Sequence, residues 1–147
     1  MKDPAGFAYQ VALNGHDGQM YGTEPYIHHV IDVNDRLKEL FPTLSEISLP
    51  IAEAVSFLHD VVEDTDITLE NLKVFGFPQE VIDGVDAMTK RDGESYDEYI
   101  ERLSGNLIAV MVKIADSYSN LTASIISGGT KRIAKYTKNI EILSKFL

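Results

Sequence analysis

The chain has 147 residues, with 23 Asp and Glu against 13 Lys and Arg, for a formal net charge of −10. That acid excess excludes a nucleic-acid polymer or an anionic membrane as the main partner, because no positive field gathers phosphates at long range. With no cysteine, disulfides, thiolate metal sites and cysteine nucleophiles are excluded, and a cytoplasmic location fits.

The length fits one domain, residues 1–147, and the balance of 44% hydrophobic and 24% charged residues fits a globular core. Met1-Lys2-Asp3-Pro4 is not followed by a long apolar stretch, so no signal peptide is expected. No run approaches the roughly 18 apolar residues of a spanning helix. Asn14-Gly15 precedes a polar loop, and no hairpin dipeptide sits between alternating strands. Tyr26 to Leu40 places Tyr26, Val30, Val33 and Leu37 on one helical stripe, and Pro50 to Val62 does the same with Ile51, Val55, Leu58 and Val62. Thr68 caps a short helix over Leu69 to Phe75, without the Glu of a capping box. Pro78 opens a helix over Gln79 to Met88. Ser95 with Glu98 makes a capping box for a helix ending at Leu103. Asn106 to Ile126 carries Leu107, Val110, Met111, Ile114, Tyr118, Leu121 and Ile125 at helical spacing. Gly128-Gly129 stops it, and Lys131 to Phe146 forms a last helix with Ile133, Tyr136, Ile140 and Leu143 inward. The fold expected is an all-α, single-domain bundle of seven or eight helices.

His59-Asp60 stands out. The pair lies between Phe57-Leu58 and Val61-Val62, where burying charge is costly unless something charged receives it. Adjacent helical residues are about 100° apart, so both side chains reach one ion. Glu63 and Asp64 follow at i+4 from His59 and Asp60. One helix edge then presents an imidazole and three carboxylates, a cluster that repels itself unless a cation sits in it. The plain alternative is a polar helix end running into the turn Asp64-Thr65-Asp66. His29 starts one helix. Asp116 lies on an apolar stripe of another and needs a partner, with Asn120 at i+4 on the same face. Lys113 either approaches a phosphate or pairs with an acidic neighbour. Asn120 either bonds a ligand or orients Asp116. Tyr21 is available to stack on a base, whereas Tyr26 and Tyr118 fall on core stripes. His28 points to solvent and His16 is structural or exposed. Lys131, Arg132, Lys135 and Lys138 make a solvated basic face.

In order, His29, His59-Asp60 and Asp116 resemble the H…HD…D pattern of HD-domain metal phosphohydrolases. Pro25-Tyr26-Ile27-His28-His29 resembles the "PYI-x-H" opening of the RelA/SpoT-type subgroup. The stretch Phe57 to Thr65 resembles its "LLHDVVEDT", Val112 to Asp116 its "VKLAD", and His16 to Gln19 its "H-x-GQ". Met88 to Tyr99 is similar to a stretch of small stand-alone members, and no synthetase domain is expected in so short a chain.

That resemblance implies one divalent ion held by His29, His59, Asp60 and Asp116, with Mn²⁺ the first choice and Mg²⁺, Fe²⁺, Zn²⁺ or Co²⁺ alternatives. Nitrogen and oxygen donors without sulfur suit such an ion. It also implies that Glu63, with Asp64, handles the attacking water; Asn120, Lys113 and Tyr21 are the candidates for contact with substrate. A bound cation would reverse the local sign for a polyanionic, small-molecule nucleotide substrate. The first expectation is removal of the 3′-pyrophosphate from guanosine tetraphosphate (ppGpp), giving GDP and pyrophosphate. Where the family often carries basic residues after the "D" of "VKLAD", this chain has Ser117 and Thr122. A nucleoside monophosphate, a cyclic nucleotide or NADPH therefore remains an alternative substrate, and a silent nucleotide sensor an alternative of another class. A homo-oligomer is left open.

Overall fold

Asp3 opens the first helix of the computed structural model, which describes residues 1–147. Its side chain accepts the Gly6 amide at 2.8 Å, and Pro4 occupies the first turn, where a missing N–H is not needed. The periodicity reading passes over this helix, α1 (Pro4–Gly15), because its buried face is built on small residues, Ala8, Val11 and Ala12. A minimal antiparallel ladder follows, β1 (Met20–Tyr21) with β2 (Glu24–Pro25), turning at Gly22 with φ 60°. Two-residue strands are too short to show alternation, so no sequence pattern announces them.

The next helix, α2 (Tyr26–Leu40), falls where expected, but the helix expected over 50–62 is broken. It runs as α3 (Ser48–Leu58), interrupts at His59 and Asp60, and resumes for one turn as α4 (Val61–Asp64). Asp60 sits at φ −107°, ψ 0°, the sparsely populated bridge region where active-site residues are often found. Then come α5 (Leu69–Val74), α6 (Gln79–Met88), α7 (Tyr96–Leu103), α8 (Leu107–Ser127) and α9 (Thr130–Ser144). The Thr68 cap is a complete box after all. Asn71 takes the role of Glu, its side chain accepting the Thr68 amide at 2.9 Å while Thr68 Oγ1 accepts the Asn71 amide at 3.1 Å. The Ser95–Glu98 box forms as read. The count of nine helical segments exceeds seven or eight because of α1 and the break at 59–60.

One continuous apolar core joins these elements. Helix α8 is its axis, packed against α2, α3, α6 and α9. It outruns the core at both ends, leaving Leu107 and Ile125 exposed rather than inward. In α9 only Leu143 and Asn139 are fully buried, with Ile133, Tyr136 and Ile140 half-buried. Gly84 lets α6 approach α3 closely, since a Cβ there would stand 2.7 Å from Val55 Cγ2. The loop between α6 and α7 is clamped by Arg102. Its guanidinium donates to both Glu94 oxygens, at 2.7 and 3.0 Å, and to the carbonyls of Asp86 and Thr89.

Two outcomes follow from this packing. Gly84→Val forces side-chain volume into the α3–α6 contact and is expected to lower stability by about 1–3 kcal/mol, read by urea denaturation. Hydrogen bonds from Arg102 and the Arg91 amide hold the Glu94 carboxyl down at about 2, below the ordinary 4.5. A depressed folded-state pKa stabilises above the unfolded value and is lost on acidification. The stability gap between wild type and Glu94→Gln is therefore expected to be full above about pH 4.5 and to close as pH falls towards about 2.

Candidate metal centre

Three separate pieces of chain supply four side chains to one point. His29 comes from the first turn of α2, His59 and Asp60 from the break between α3 and α4, and Asp116 from the middle of α8. One ligand-type atom from each lies within 4.8 Å of all the others. His29, His59 and Asp116 are buried and Asp60 is half-buried. His29 Nε2 is 3.0 Å from Asp116 Oδ1. His59 Nε2 is 3.0 Å from Asp60 Oδ2 and 3.4 Å from Asp116 Oδ1. The break at 59–60 makes this possible, because it turns two adjacent side chains onto the same point.

His59 is locked from behind. Its Nδ1–H donates to the Ser56 carbonyl at 2.6 Å, so the other nitrogen faces the carboxylates. That Nε2 is buried, close to two anions, and has no hydrogen-bond partner. Burial alone would lower the His59 pKa, but the charges of Asp60 and Asp116 overcome it and hold the pKa well above the ordinary value. Burial opposes the charged form of Asp116 too, and Lys113 with the two imidazoles holds that carboxyl well below its usual range. Asp60 is also held low, at about 2, by His59 against the effect of burial. The site is thus built to keep two carboxylates ionised in a buried place, with positive charge required among them.

Around the four lies a ring of supporting contacts. Tyr26 was expected in the core alone, yet its hydroxyl donates to Asp60, and burial pushes its pKa upward. Its spacing of three residues before His29 on α2 was the signal for a shared face. Lys113 Nζ pairs with Asp116 Oδ2 at 3.2 Å, the acidic-neighbour alternative, and sits 5.6 Å from the centre of the Tyr99 ring. Asn120 donates to Asp116 Oδ1 at 3.2 Å and accepts the Tyr21 hydroxyl at 2.6 Å. Tyr21 stacks flat on His29, with ring centres 4.4 Å apart, and burial pushes its pKa to about 12. Ser119 contacts His29 Nδ1, a residue that the sequence reading missed because a lone serine on a helix carries no signal. His16 is buried against Tyr26 and bonds Gln19, so its place is structural. His28 is exposed and pairs with Glu24.

Glu63 and Asp64 stand apart from the four. The helix is interrupted at 59–60, yet the Asp64 amide still donates to the Asp60 carbonyl at 2.9 Å, so the two acids follow the His59-Asp60 pair by one turn, exposed and outside the four. Glu63 accepts the Lys90 amide at 2.6 Å, and desolvation lifts its pKa above the ordinary value. Asp64 is exposed and accepts Gln19 Nε2 at 3.1 Å. A cavity of about 640 Å³ opens beside Tyr21 and Asn120, with Arg132 and Tyr136 of α9 on its far wall. A groove of about 690 Å³ between α7 and α9, lined by Ile100, Ile142 and Phe146, touches none of the four.

No protein-family model matches the chain. It is 31% identical over 146 residues to the guanosine-3′,5′-bis(diphosphate) 3′-pyrophosphohydrolase of Vibrio cholerae, an alignment covering 90% of this chain and 20% of that protein. It is 30% identical over 130 residues to a probable enzyme of the same name from Synechocystis, covering 80% of this chain and 16% of the relative. A probable GTP pyrophosphokinase of Mycobacterium leprae is 29% identical over 93% of this chain and 18% of its own length. The chain thus spans about a fifth of the length of the curated relatives it matches. Among solved structures, a metazoan ortholog of SpoT that hydrolyzes ppGpp superposes with a TM-score of 0.74 at 25% identity, covering 95% of this chain and 84% of that one. An all-α frame that brings His29, His59, Asp60 and Asp116 together thus occurs in a sequence similar to SpoT/RelA-type enzymes, on a fold shared with the metazoan SpoT ortholog.

Proposed function

We propose that the chain is a metal-dependent pyrophosphohydrolase, with ppGpp as substrate and GDP and pyrophosphate as products. The observation that carries this reading is the buried, unpartnered His59 Nε2, facing two ionised carboxylates and within 4.8 Å of a His29 nitrogen. Such a set fits a divalent cation better than it fits any arrangement of protons, since only an ion satisfies every lone pair at once. Nitrogen and oxygen donors without sulfur suit such an ion, and the resemblance to RelA/SpoT-type hydrolases makes Mn²⁺ the first choice. His29, His59, Asp60 and Asp116 hold it. The chemistry that such an ion supplies is polarisation of a phosphoryl oxygen and acidification of water.

The remaining steps belong to side chains. Glu63 lies at the rim, and its raised pKa suits a group that takes the proton of the attacking water. Asp64 holds Gln19 and with it the wall formed by the 16–19 turn. Water attacks the phosphorus next to the 3′ oxygen, the bond from that phosphorus to the 3′ oxygen breaks, and the proton from Glu63 returns to the leaving GDP. The nucleoside end lies in the cavity beside Tyr21 and Asn120. Lys113 neutralises Asp116, and Arg132 on the cavity wall offers a cation to a phosphate. The metazoan ortholog of SpoT supports this reading, because a chain of which this one covers 84% is described as hydrolyzing ppGpp. A free nucleotide as substrate supports a cytoplasmic location; no helix is long and apolar enough to cross a membrane.

One observation favours a second reading. At the positions where the family often has basic residues, Ser117 is buried with no hydrogen-bond partner and Thr122 contacts Arg36 at 3.5 Å. Neither side chain brings charge to a phosphate, so a nucleotide with fewer phosphates is the rival substrate. Purified protein with Mn²⁺, assayed against ppGpp, nucleoside mono- and triphosphates, cyclic nucleotides and NADPH, separates the two. Pyrophosphate release from ppGpp that stops with EDTA is the expected result. Turnover of another nucleotide alone replaces the substrate, and metal binding without turnover leaves a sensor. His59→Ala or Asp60→Ala is expected to abolish Mn²⁺ retention in calorimetry. Glu63→Gln is expected to keep the ion and lower kcat by about 10²–10⁴-fold, the range of a general base.

A further inference from the structure

Ser119 links the buried His29 ring to a carboxylate at the surface. Its Oγ donates to Asp32 Oδ2 at 2.6 Å and lies 3.2 Å from His29 Nδ1. A hydroxyl has one hydrogen. With that hydrogen committed to Asp32, the oxygen offers only lone pairs to the imidazole, so His29 Nδ1 must carry the proton and donate it. The neutral ring then has its lone pair at Nε2, the atom that faces Asp116 at 3.0 Å. The rival arrangement puts the hydrogen on Nε2, towards Asp116, and requires Ser119 to abandon its short bond to Asp32. Asp116 Oδ1 accepts Asn120 and Oδ2 pairs with Lys113 in either arrangement.

The same helix faces that deliver the four clustered residues deliver this relay. Asp32 follows His29 by three residues on α2, and Ser119 follows Asp116 by three on α8. Asp32 is in turn 3.6 Å from Arg36 Nε, which keeps it in place. His59 is oriented by another route, its Nδ1–H held by the Ser56 backbone carbonyl. The two imidazoles therefore present Nε2 to a common point, one fixed by main chain and one by two replaceable side chains.

We infer that Asp32 and Ser119 are positioning residues for the metal, a carboxylate–hydroxyl relay that fixes His29 as the Nδ1–H tautomer with Nε2 as its donor atom. The inference rests on the metal-binding part of the function proposed above. A histidine ligand held this way is oriented and made more basic, and removal of such a partner typically weakens metal affinity by about 10–100-fold.

Two measurements on the full chain test it. Imidazole ¹⁵N shifts of the metal-free protein at about pH 8, where the ring is ordinarily neutral, report the tautomer of His29 directly. The expected result is Nδ1–H in wild type and loss of that preference in Ser119→Ala. Calorimetric titration with Mn²⁺ is expected to give a Kd about 10–100-fold weaker for Ser119→Ala, and a smaller loss for Asp32→Asn, which keeps an acceptor oxygen. Asp32 is half-exposed, so its variant tests the relay without disturbing the core. An Nε2–H tautomer in wild type, or a Kd unchanged within about two-fold in both variants while wild type binds Mn²⁺, overturns the relay and leaves the metal reading standing. A wild-type chain that takes up no Mn²⁺ overturns both.

Discussion

The architecture turns on a buried carboxylate. Asp116 lies in the middle of the longest helix, on the axis of the core, where an unpaired charge is prohibitively costly. Everything within reach answers it. Lys113 comes from one turn earlier on the same helix, Asn120 from one turn later, His29 from α2 and His59 from the end of α3. The positions of α2 and α3 against α8 are therefore fixed by polar contacts as well as by apolar packing. A shift of either helix by one residue would move an imidazole away and strand the charge.

The break at His59 and Asp60 follows from the same need. At this interruption His59 Nε2 stands 3.0 Å from Asp60 Oδ2 and 3.4 Å from Asp116 Oδ1, which gathers both side chains into the Asp116 cluster. Asp60 in the bridge region is held there by His59 and by the Tyr26 hydroxyl, so local backbone irregularity is stabilised by contacts made inside the cluster. The interruption also carries Glu63 and Asp64 out to the rim, separating the groups able to take a proton from those that gather around one point. One short segment thereby supplies two chemically distinct zones.

Much of this was legible in the residues. Periodicity located α2, α8 and α9 by their apolar stripes, Pro78 and the Ser95–Glu98 box located α6 and α7, and the adjacent His59-Asp60 and the lone Asp116 drew attention because charge amid apolar residues demands a partner. What escaped had a physical reason in each case. Helix α1 buries alanines, which periodicity weights lightly. The capping role of Asn71 substitutes one carbonyl-bearing side chain for another. The break inside 50–62 depends on tertiary contacts that no local pattern encodes. Tyr26 reads as a core residue because most of it is one, with only the hydroxyl reaching the site. Ser119 and Asp32 are ordinary helix residues until α2 and α8 are laid side by side.

The distribution of charge completes the argument. A chain with a net charge of −10 repels a polyanion at long range, and its buried cluster adds two carboxylates at the place where one would have to arrive. Part of the positive charge is concentrated. Lys131, Arg132, Lys135 and Lys138 gather on α9, which packs along α8 and contributes Arg132 to the cavity wall beside Tyr21 and Asn120. Lys135 lies 4.9 Å from the centre of the Tyr96 ring, so part of that positive face is held by aromatic contacts rather than left to swing free. An acidic molecule thus keeps one positive helix next to its polar cavity, and a cation among the four clustered side chains would extend the same reversal of sign to the cavity's inner end.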